Sequence, residues 1–377
     1  MRVPISHGGM LRVALNGRFS GTRQPTGTQT VAFALFDAII RADRPGVEIV
    51  AFADPRFTGV DAWRNLPGTN LVEVPFQDWS RGRAQLWEQF VFPFASRRWK
   101  CSIAHHPIMT SPIFRNGLLS VVTLHDLNFY HHPEWFSWKI RAVFGVTALP
   151  GLRLADRVVV ISDYVLEDAR RTLRIPPERL RRVYNGAKPL ELSPDPPAVP
   201  APYLLCVGSL QPHKNLARLI EAYRLLKPGF PSLELHVVGR PQAGFSSDPR
   251  LPDLLATPGV RILGYLSERE LGDAYRGAKL FCYPSMEEGF GLPLIEGMAA
   301  GTLTLTSNAS CLPEIAGGHS ILVDPRSVES IAGGIRMALE MPDGERARRL
   351  EEAREWSARF SWQTAAREYL AIYEELR

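Results

Sequence analysis

Six prolines within a short stretch divide this chain into two halves. They fall in KPLELSPDPPAVPAPY, residues 188 to 203. Because proline fixes the backbone angle φ and has no amide hydrogen, neither a helix nor a central strand can run through this stretch. The sequence therefore predicts two domains, residues 1–190 and 203–360, joined by a proline-rich hinge at 191–202. Residues 361–377 are expected to form a helix that can cross back to the first domain.

Each half alternates short runs of aliphatic and β-branched residues with amphipathic helical stretches. This alternation is typical of α/β proteins in which helices cover both faces of a parallel sheet. Two such doubly wound domains facing each other would form a cleft lined by the carboxyl ends of their strands, where sheets of this kind bind ligands. The strand candidates are 11–17, 47–54, 118–126 and 156–162 in the first half, and 203–209, 233–239, 261–266, 279–285, 302–308 and 320–324 in the second.

Composition narrows the class of protein. With 45% hydrophobic and 22% charged residues, the chain has the content of an ordinary globular protein. No uncharged apolar run approaches the roughly 18 to 20 residues of a membrane span, and the N-terminus lacks the apolar region of a signal peptide. The cytoplasm is the expected location, and the first nine residues are expected to be an extension outside the fold. Four widely spaced cysteines are predicted to be buried free thiols: Cys101, Cys206, Cys282 and Cys311.

Charge is distributed unevenly along the chain. Residues 1–191 hold 25 Lys and Arg against 16 Asp and Glu, a balance of +9, whereas residues 192–377 hold 19 against 23, a balance of −4. A basic first half favours an anionic partner. Charge alone leaves a phosphate-bearing acceptor, a lipid surface and a nucleic acid open.

The stretch EEGFGLPLIEG, residues 287–297, places Glu288 and Glu296 on either side of a glycine-rich turn. The turn leads to Pro293, a residue favoured at the first position of a helix. A turn of this kind presents backbone amides and the positive end of a helix dipole to an anion such as phosphate. Two carboxylates beside a phosphate repel it, but they suit a ligand that carries hydroxyl groups on both sides of a diphosphate. A nucleotide sugar has that shape; alternatively, Glu296 complements the helix dipole and Glu288 is a solvated loop residue.

A second loop points to the same ligand. In VGSLQPHKN, residues 207–215, Gly208 follows a strand and Lys214 precedes a helix, where an ammonium group opposes the helix dipole. Lys214 is therefore a candidate to bind a diphosphate. The chain contains no Asp-x-Asp pair for a metal-bound diphosphate, and neither His105/His106 nor His131/His132 has an obvious third ligand, so no metal is expected.

These residues resemble glycosyltransferase family 4, whose members have the GT-B fold and act with retention. EGFGLPLIE is similar to the E-x7-E motif of the family, and VGSLQPHKN and VYNGAKP (183–189) resemble its lysine and Asn-Gly segments. The resemblance implies that Glu288 contacts hydroxyls of the donor sugar, Glu296 the ribose and Lys214 the diphosphate. The donor-binding set implied is Gly208, Ser209, Lys214, Arg240, Tyr265, Leu266, Glu288, Gly289, Phe290, Gly291, Leu292 and Glu296.

One departure from the family concerns the second cation. Many members carry arginine where Ser209 or His213 stands here. Arg240, which follows the strand at 233–239, is the candidate that remains, and its alternative is a solvated loop position. The resemblance also implies that backbone around Tyr265 and Leu266 holds the base.

In the first half, TLHDLNFYHHPEWF (123–136) resembles a segment of bacterial mannosyl and rhamnosyl transferases in this family. His125 and Asp126 fall at a strand end, on the ligand edge of the sheet. By that resemblance His125 faces the donor sugar, and Asp126 orients it or helps to take the acceptor proton. Gly27 and Thr28, in PTGTQTV, lie where the family keeps a loop near donor phosphate and acceptor. The predicted catalytic set is His125, Asp126, Lys214 and Glu288.

Residues 81–100, RGRAQLWEQFVFPFASRRWK, mix arginines with five aromatic side chains. Such a segment suits either an anionic membrane surface at its inner face or a helix whose aromatics face the core. Nucleic acid is disfavoured because no stacking platform or groove-reading motif accompanies the charge.

The sequence thus predicts a glycosyltransferase without a cofactor, acting from a nucleotide-sugar donor, GDP-mannose favoured, to a glycan or lipid-linked acceptor of cell-surface polysaccharide. Two alternatives stay open. One is a sugar-nucleotide 2-epimerase of the same fold, and the other is a non-catalytic nucleotide-sugar-binding subunit. A nicotinamide dehydrogenase is disfavoured because no strand is followed by G-x-G-x-x-G.

Overall fold

A computed structural model describes residues 9–23, 25–194, 201–240 and 248–377. The first eight residues of the expected extension and residues 195–200 of the predicted hinge lie outside the described residues. The chain packs into two units. The first unit comprises the chain up to Leu127, Arg141–Gly186 and Ser361–Arg377; the second comprises Asn128–Ile140 and Ala187–Phe360.

The strands of the described part are short. They are β1 Leu11–Gly17, β2 Val47–Ala53, β3 Thr69–Glu73, β4 Ile103–His106, β5 Leu119–Leu124, β6 Arg157–Val160, β7 Leu180–Arg182, β8 Tyr203–Val207, β9 Glu234–Val238, β10 Val260–Gly264, β11 Leu280–Tyr283, β12 Thr304–Ser307 and β13 Ile321–Val323.

The α-helices are α1 Gly27–Arg41, α2 Arg81–Leu86, α3 Phe92–Arg98, α4 Asn128–His131, α5 Trp138–Val143, α6 Leu149–Leu154, α7 Asp163–Asp168, α8 Leu216–Leu226, α9 Leu251–Leu255, α10 Glu268–Gly277, α11 Leu292–Ala299, α12 Leu312–Ala316, α13 Val328–Leu339, α14 Asp343–Ser357 and α15 Trp362–Glu375. Wider π-helical turns continue α2, α5 and α7 at Trp87–Val91, Phe144–Ala148 and Ala169–Leu173. Short 3₁₀ turns lie at Arg18–Gly21, Val60–Asn65, Phe76–Asp78, Pro133–Trp135, Pro177–Arg179 and Pro212–Lys214.

Both sheets are parallel and share one strand order. The first is ordered β3-β2-β1-β4-β5-β6-β7 and the second β10-β9-β8-β11-β12-β13. In each sheet the chain first runs toward one edge and then returns to continue toward the other, so the order reverses between β1 and β4 and between β8 and β11. Doubly wound sheets bind ligands at the carboxyl ends of strands beside such a switch point. The predicted α/β class with two doubly wound sheets is confirmed.

Three strands were not predicted from the sequence. β4 is fully buried, but two of its four residues are the polar His105 and His106, so it lacks the apolar run from which a buried strand is inferred. β3 and β7 are edge strands, and their half-buried polar residues weaken the hydrophobic pattern from which a strand is inferred.

The C-terminal helix α15 belongs to the core of the first unit. Tyr369 and Tyr373 of α15 are buried there with Ala365 and Ala366. The hydroxyl of Tyr373 lies 2.5 Å from Nδ1 of His105 in β4, and that of Tyr369 lies 2.7 Å from Oγ1 of a β5 threonine. Buried polar groups of two strands are thereby satisfied by the last helix of the chain.

The segment Asn128–Ile140, which lies within the predicted first domain, packs in the second unit instead. Trp135 explains this position. Its ring stacks on His132 at a centroid distance of 3.9 Å and lies 5.5 Å from the ring of His213. Because Trp135 is buried, the apolar area that it removes from water holds the segment against the loop after β8.

Candidate active site

The loops after β8 and β11 meet because their strands are neighbours at the switch point of the second sheet. β8 and β11 pair directly, with Leu280 opposite Leu204. The chain leaves β8 through Gly208 and reaches Lys214, and it leaves β11 through Pro284 and reaches Glu288. The sheet topology thus brings together two residues that are 74 positions apart.

Two glycines let the ends of β8 and β9 approach closely. Gly208 and Gly239 have φ of +150° and +145°. A Cβ atom on Gly239 would lie 1.8 Å from the carbonyl oxygen of Gly208, so no side chain fits there. The stem of Lys214 packs over Gly208, 3.6 Å from the position of a Cβ.

Lys214, Tyr283 and Glu288 form a closed triangle of hydrogen bonds. Nζ of Lys214 donates to Oε1 of Glu288 at 2.6 Å and to the hydroxyl of Tyr283 at 2.9 Å. That hydroxyl in turn donates to the same Oε1 at 2.7 Å. The Lys214 and Glu288 side chains are only 17% and 12% exposed. Burial would raise the pKa of Glu288, yet the Lys214 ammonium and neighbouring groups take that pKa below its ordinary value.

The hydrogen-bond donors and acceptors that this triangle leaves unused determine what it can bind. An ammonium group has three N–H donors, and two of those on Lys214 are used. Within the described residues, Oε2 of Glu288 accepts no hydrogen bond from the protein. One cationic donor and one carboxylate oxygen therefore remain for a ligand.

Glu296, like Glu288, accepts a hydrogen bond from a tyrosine hydroxyl. The hydroxyl of Tyr275 in α10 donates to Oε2 of Glu296 at 2.9 Å. Burial raises the pKa of Glu296, and this hydrogen bond partly offsets the rise. A glutamate that complements the helix dipole would lie in the first turn of its helix. Because α11 begins at Leu292, Glu296 lies one position beyond that turn.

Two of the first three residues of α11 have no backbone amide available to an anion. Gly291, with φ of +97°, is its N-cap, and Pro293 lies in its first turn. Pro293 has no N–H, and the amide of Leu294 already donates to the Gly291 carbonyl at 2.9 Å. The ring of Phe290 packs edge to face against Phe360. A larger share of anion binding at this site would therefore fall to Lys214.

His213 does not supply the second cation. Burial, followed by the nearby Lys214 charge, lowers the pKa of His213 to about 4, so the ring is neutral at physiological pH. Arg240 is exposed, and its guanidinium carbon lies 5.8 Å from the ring centroid of Tyr265. Tyr265 itself is 79% exposed. Arg240 follows β9 and Tyr265 follows β10. Ser209, which follows β8, and Leu266 are half-buried. The predicted role of these four residues in donor binding stays a prediction.

In the first unit, His125 and Asp126 follow β5 directly. Nε2 of His125 donates to the Pro107 carbonyl at 2.8 Å. Burial lowers the pKa of His125 despite that hydrogen bond, so the ring is neutral and Nδ1 is its acceptor atom. Gly27 and Thr28 are exposed at the beginning of α1, whose N-cap is Thr26. The structure thus places His125 and Asp126 on the loop that follows β5, and Gly27 and Thr28 in the first turn of the helix that follows β1.

Two further predictions concern metal ligands and thiols. Throughout the described ranges, no three His, Cys, Asp or Glu side chains are arranged to hold a metal ion. All four cysteines are free and buried, which confirms the prediction for them.

Some aromatic side chains of residues 81–100 face the core, and others are exposed as a membrane-binding segment would require. Trp87 and Phe92 are buried in the core. Phe90 and Phe94, in contrast, are 66% and 55% exposed. Together with Leu86, Val91, Ile113 and Phe114, which are also exposed, they form an apolar surface that we name the Phe90 surface. No helix of the described ranges is long and apolar enough to cross a membrane.

Two tyrosines of the site were missed from the sequence. Tyr283 ends β11, so the rule that selected His125 at the end of β5 would have found it. Tyr275 gave no such signal, because it lies inside an amphipathic helix.

Two sheets of one doubly wound order, with a buried lysine–carboxylate pair at the second switch point, define the GT-B class of fold. The structure is similar to sucrose-phosphate synthase from Thermosynechococcus elongatus, with a TM-score of 0.75 and 19% identity over 97% of this chain and 99% of that one. It is also similar to Anabaena HepE in complex with UDP-glucose, with a TM-score of 0.71 and 15% identity over 97% and 100% of the two chains.

Sequence comparison identifies the family. The family model described as Glycosyltransferase Family 4 matches residues 25–189, and the one described as Glycosyl transferases group 1 matches residues 194–356. The O-antigen chain mannosyltransferase B of Escherichia coli is 28% identical over 312 residues, which are 78% of each protein. The chain belongs to glycosyltransferase family 4 and is a glycosyltransferase.

Proposed function

We propose that this enzyme transfers a hexose, with mannose from GDP-mannose favoured, to a glycan or lipid-linked oligosaccharide of a cell-surface polysaccharide, with retention of configuration. The O-antigen mannosyltransferase relative supports the sugar and the pathway class, and the complex of HepE with UDP-glucose supports a nucleotide-sugar donor. The observation that carries the proposal is the pair of carboxylates that each commit one oxygen to a tyrosine, Glu288 to Tyr283 and Glu296 to Tyr275.

The geometry suits a donor with hydroxyl groups on both sides of a diphosphate. The remaining oxygen of each carboxylate can accept from a hydroxyl, and hydrogen bonds to charged groups are worth about 1.5 to 3 kcal/mol. Lys214 supplies the cation for the diphosphate. During transfer the bond between the anomeric carbon and the diphosphate oxygen breaks, the acceptor oxygen bonds to that carbon, and the acceptor proton is released. Asp126 is our candidate to receive the proton, and Lys214 stabilises the departing diphosphate, a contribution that is often about 2.7 to 4 kcal/mol per donor.

The test has two stages. First, GDP, UDP, ADP and dTDP are compared for their effect on the melting temperature, because a ligand that binds only the folded state raises stability with occupancy. Second, the nucleotide sugar of the best base is incubated with and without glycan acceptors, and the product anomer is assigned by NMR. Glu288→Gln should keep the nucleotide shift and lose transfer.

Each outcome separates the alternatives. Conversion of the donor without any acceptor would favour a 2-epimerase, and binding without turnover across the acceptor panel would favour a non-catalytic subunit. Transfer by Glu288→Gln at the wild-type rate would refute the role given to Glu288, and an inverted product would refute retention.

The proposed partner of the Phe90 surface is an anionic membrane that presents the acceptor. Around this apolar surface, Arg81, Arg83, Arg98 and Lys100 are exposed, while the acidic residue of the segment, Glu88, is buried and paired. Exposed aromatics with a cationic rim match the interfacial zone of an anionic bilayer. The enzyme should therefore float with phosphatidylglycerol vesicles and not with pure phosphatidylcholine vesicles. The double variant Phe90→Ser with Phe94→Ser should not float with these vesicles. The control is Leu225→Ser, which changes an exposed leucine of the second unit. Unchanged flotation of the double variant would overturn this assignment.

A further inference from the structure

A buried polar cluster lies at the switch point of the first sheet. Asn16 lies near the end of β1, and His106 ends the neighbouring strand β4. Nδ2 of Asn16 donates to Oε1 of Glu88 at 2.6 Å and lies 3.0 Å from Nδ1 of His106. These three side chains are at most 2% exposed. The donor site described above contains none of them, although this is the position where a doubly wound sheet binds a ligand.

Arg18 is the member of this cluster that reaches solvent. Its Nε lies 3.3 Å from Oε1 of Glu88, and its Nη2 donates to Oγ1 of Thr110 at 2.7 Å. Its Nη1 donates to no protein atom of the described ranges. The side chain is 21% exposed, and its Nε and Nη2 lie against the buried Glu88 and Thr110.

Glu88 connects this guanidinium to the Phe90 surface. It lies in the wider turn Trp87–Val91, a type of turn that is frequent at functional sites. Glu88 and Phe90 are two residues apart in this turn, and Glu88 is buried while Phe90 is exposed. The second oxygen of Glu88 accepts from Gln85 at 2.9 Å. One short helical stretch therefore holds Arg18 with one face and offers aromatic side chains to a lipid surface with the other.

We propose that Arg18 binds the phosphate of the acceptor head group, and that the acceptor is a lipid-linked phosphate or diphosphate. A guanidinium binds phosphate oxygens with two N–H groups in a fixed plane. Glu88 balances the charge of Arg18 and fixes the orientation of that plane. The assignment of this ligand as an acceptor rests on the proposed function; the binding of the phosphate itself does not.

The test measures phosphate binding with the donor site disabled. In the background Lys214→Met with Glu288→Gln, titration calorimetry follows geranyl diphosphate, geranyl monophosphate, geraniol and inorganic diphosphate. Arg18→Gln should weaken geranyl diphosphate at least tenfold, Arg18→Lys should recover part of the affinity, and geraniol should bind equally weakly throughout. Arg12→Gln is the matched control, because Arg12 lies in β1 near the end of the strand remote from Arg18 and is paired with Glu48 at 2.6 Å.

Arg18→Gln leaves Glu88 buried without its cation, so Arg18→Gln with Glu88→Gln is measured beside it. If the double variant is folded and still binds geranyl diphosphate like its parent, the proposal is wrong. Binding of inorganic diphosphate alone would assign the site to free phosphate and overturn the lipid-linked acceptor. The nucleotide panel decides the proposed function separately, since it is measured on the unmodified enzyme.

Discussion

Replacing Lys214 by methionine tests whether this lysine balances a buried carboxylate. The substitution removes the ammonium and preserves most of the volume. Nζ lies 2.6 Å from Oε1 of Glu288, and both side chains are more than four-fifths buried. The carboxylate would keep only the hydroxyl of Tyr283 as a donor. Removing one partner of a buried ion pair typically costs about 3 to 5 kcal/mol.

Protonation limits that cost and makes it depend on pH. In the variant, Glu288 can become neutral by taking up a proton. From an ordinary pKa of 4.5, this costs about 1.4 kcal/mol for each pH unit above the pKa. The limit is therefore about 3 to 4 kcal/mol at pH 7 and about 1.4 kcal/mol at pH 5.5. The wild-type pair has the opposite dependence: because the pKa of Glu288 is lowered, its contribution is present above pH 4.5 and is lost as pH falls further.

The assay must report on the second unit alone. Hydrogen–deuterium exchange of β8 and β11 peptides, followed through a urea series, gives the free energy of unfolding of that unit. Wild type, Lys214→Met, Glu288→Gln and the double variant are compared at pH 7 and pH 5.5. We expect the penalty of Lys214→Met to fall by about 2 kcal/mol between the two pH values, and the double variant to be more stable than Lys214→Met at pH 7. An equal penalty at both pH values would show that Lys214 does not balance a charge on Glu288.

Three further predictions concern other buried groups. Burial, with smaller contributions from nearby arginines, lowers the pKa of His106 to about 3. Because this histidine takes up a proton near pH 6.5 in the unfolded chain, it should lower the free energy of unfolding by about 2 kcal/mol between pH 7 and pH 5. His106→Gln should therefore flatten the pH profile measured by urea unfolding. Gly239→Ala should abolish nucleotide-induced thermal stabilisation, because its Cβ would lie 1.8 Å from a carbonyl oxygen after β8; Gly333→Ala, in open space on α13, should not. Tyr275→Phe should raise the pKa of Glu296 in a carbon-13 NMR titration and cost about 1.5 to 3 kcal/mol of stability; an unchanged pKa would contradict the contact.

Much of the fold and part of the site could be predicted from the sequence. The alternation of β-rich runs with amphipathic helical stretches predicted the doubly wound sheets, and strand ends followed by glycine-rich loops predicted the loops that carry Lys214 and Glu288. Those loops meet because parallel neighbours align their carboxyl ends, and this rule needs no knowledge of side-chain contacts. The shortage of amides at the start of α11 was not predicted, because it depends on where Leu294 donates its hydrogen bond.

Contacts between side chains that are far apart in the sequence could not be predicted from it. Arg18 and Glu88 are 70 positions apart, and no periodicity relates them. The segment that contains Trp135 has a strand before it and a helix after it, which is compatible with either unit; only its packing against His213 assigns it to the second. The exposure of Phe90 beside buried Trp87 follows from the rotation of a wider helical turn, which the residue types do not reveal.

The position of α15 has a consequence for synthesis on the ribosome. The first sheet is complete in sequence at Arg182, but the tyrosines that satisfy His105 and its neighbours arrive only with residues 369 and 373. At translation rates of about 5 to 20 residues per second, the nascent sheet waits roughly 10 to 40 seconds with this side uncovered. Completion of the first unit is therefore expected only after the second has been translated, and a chain that terminates before residue 362 should be a substrate for chaperones and proteases.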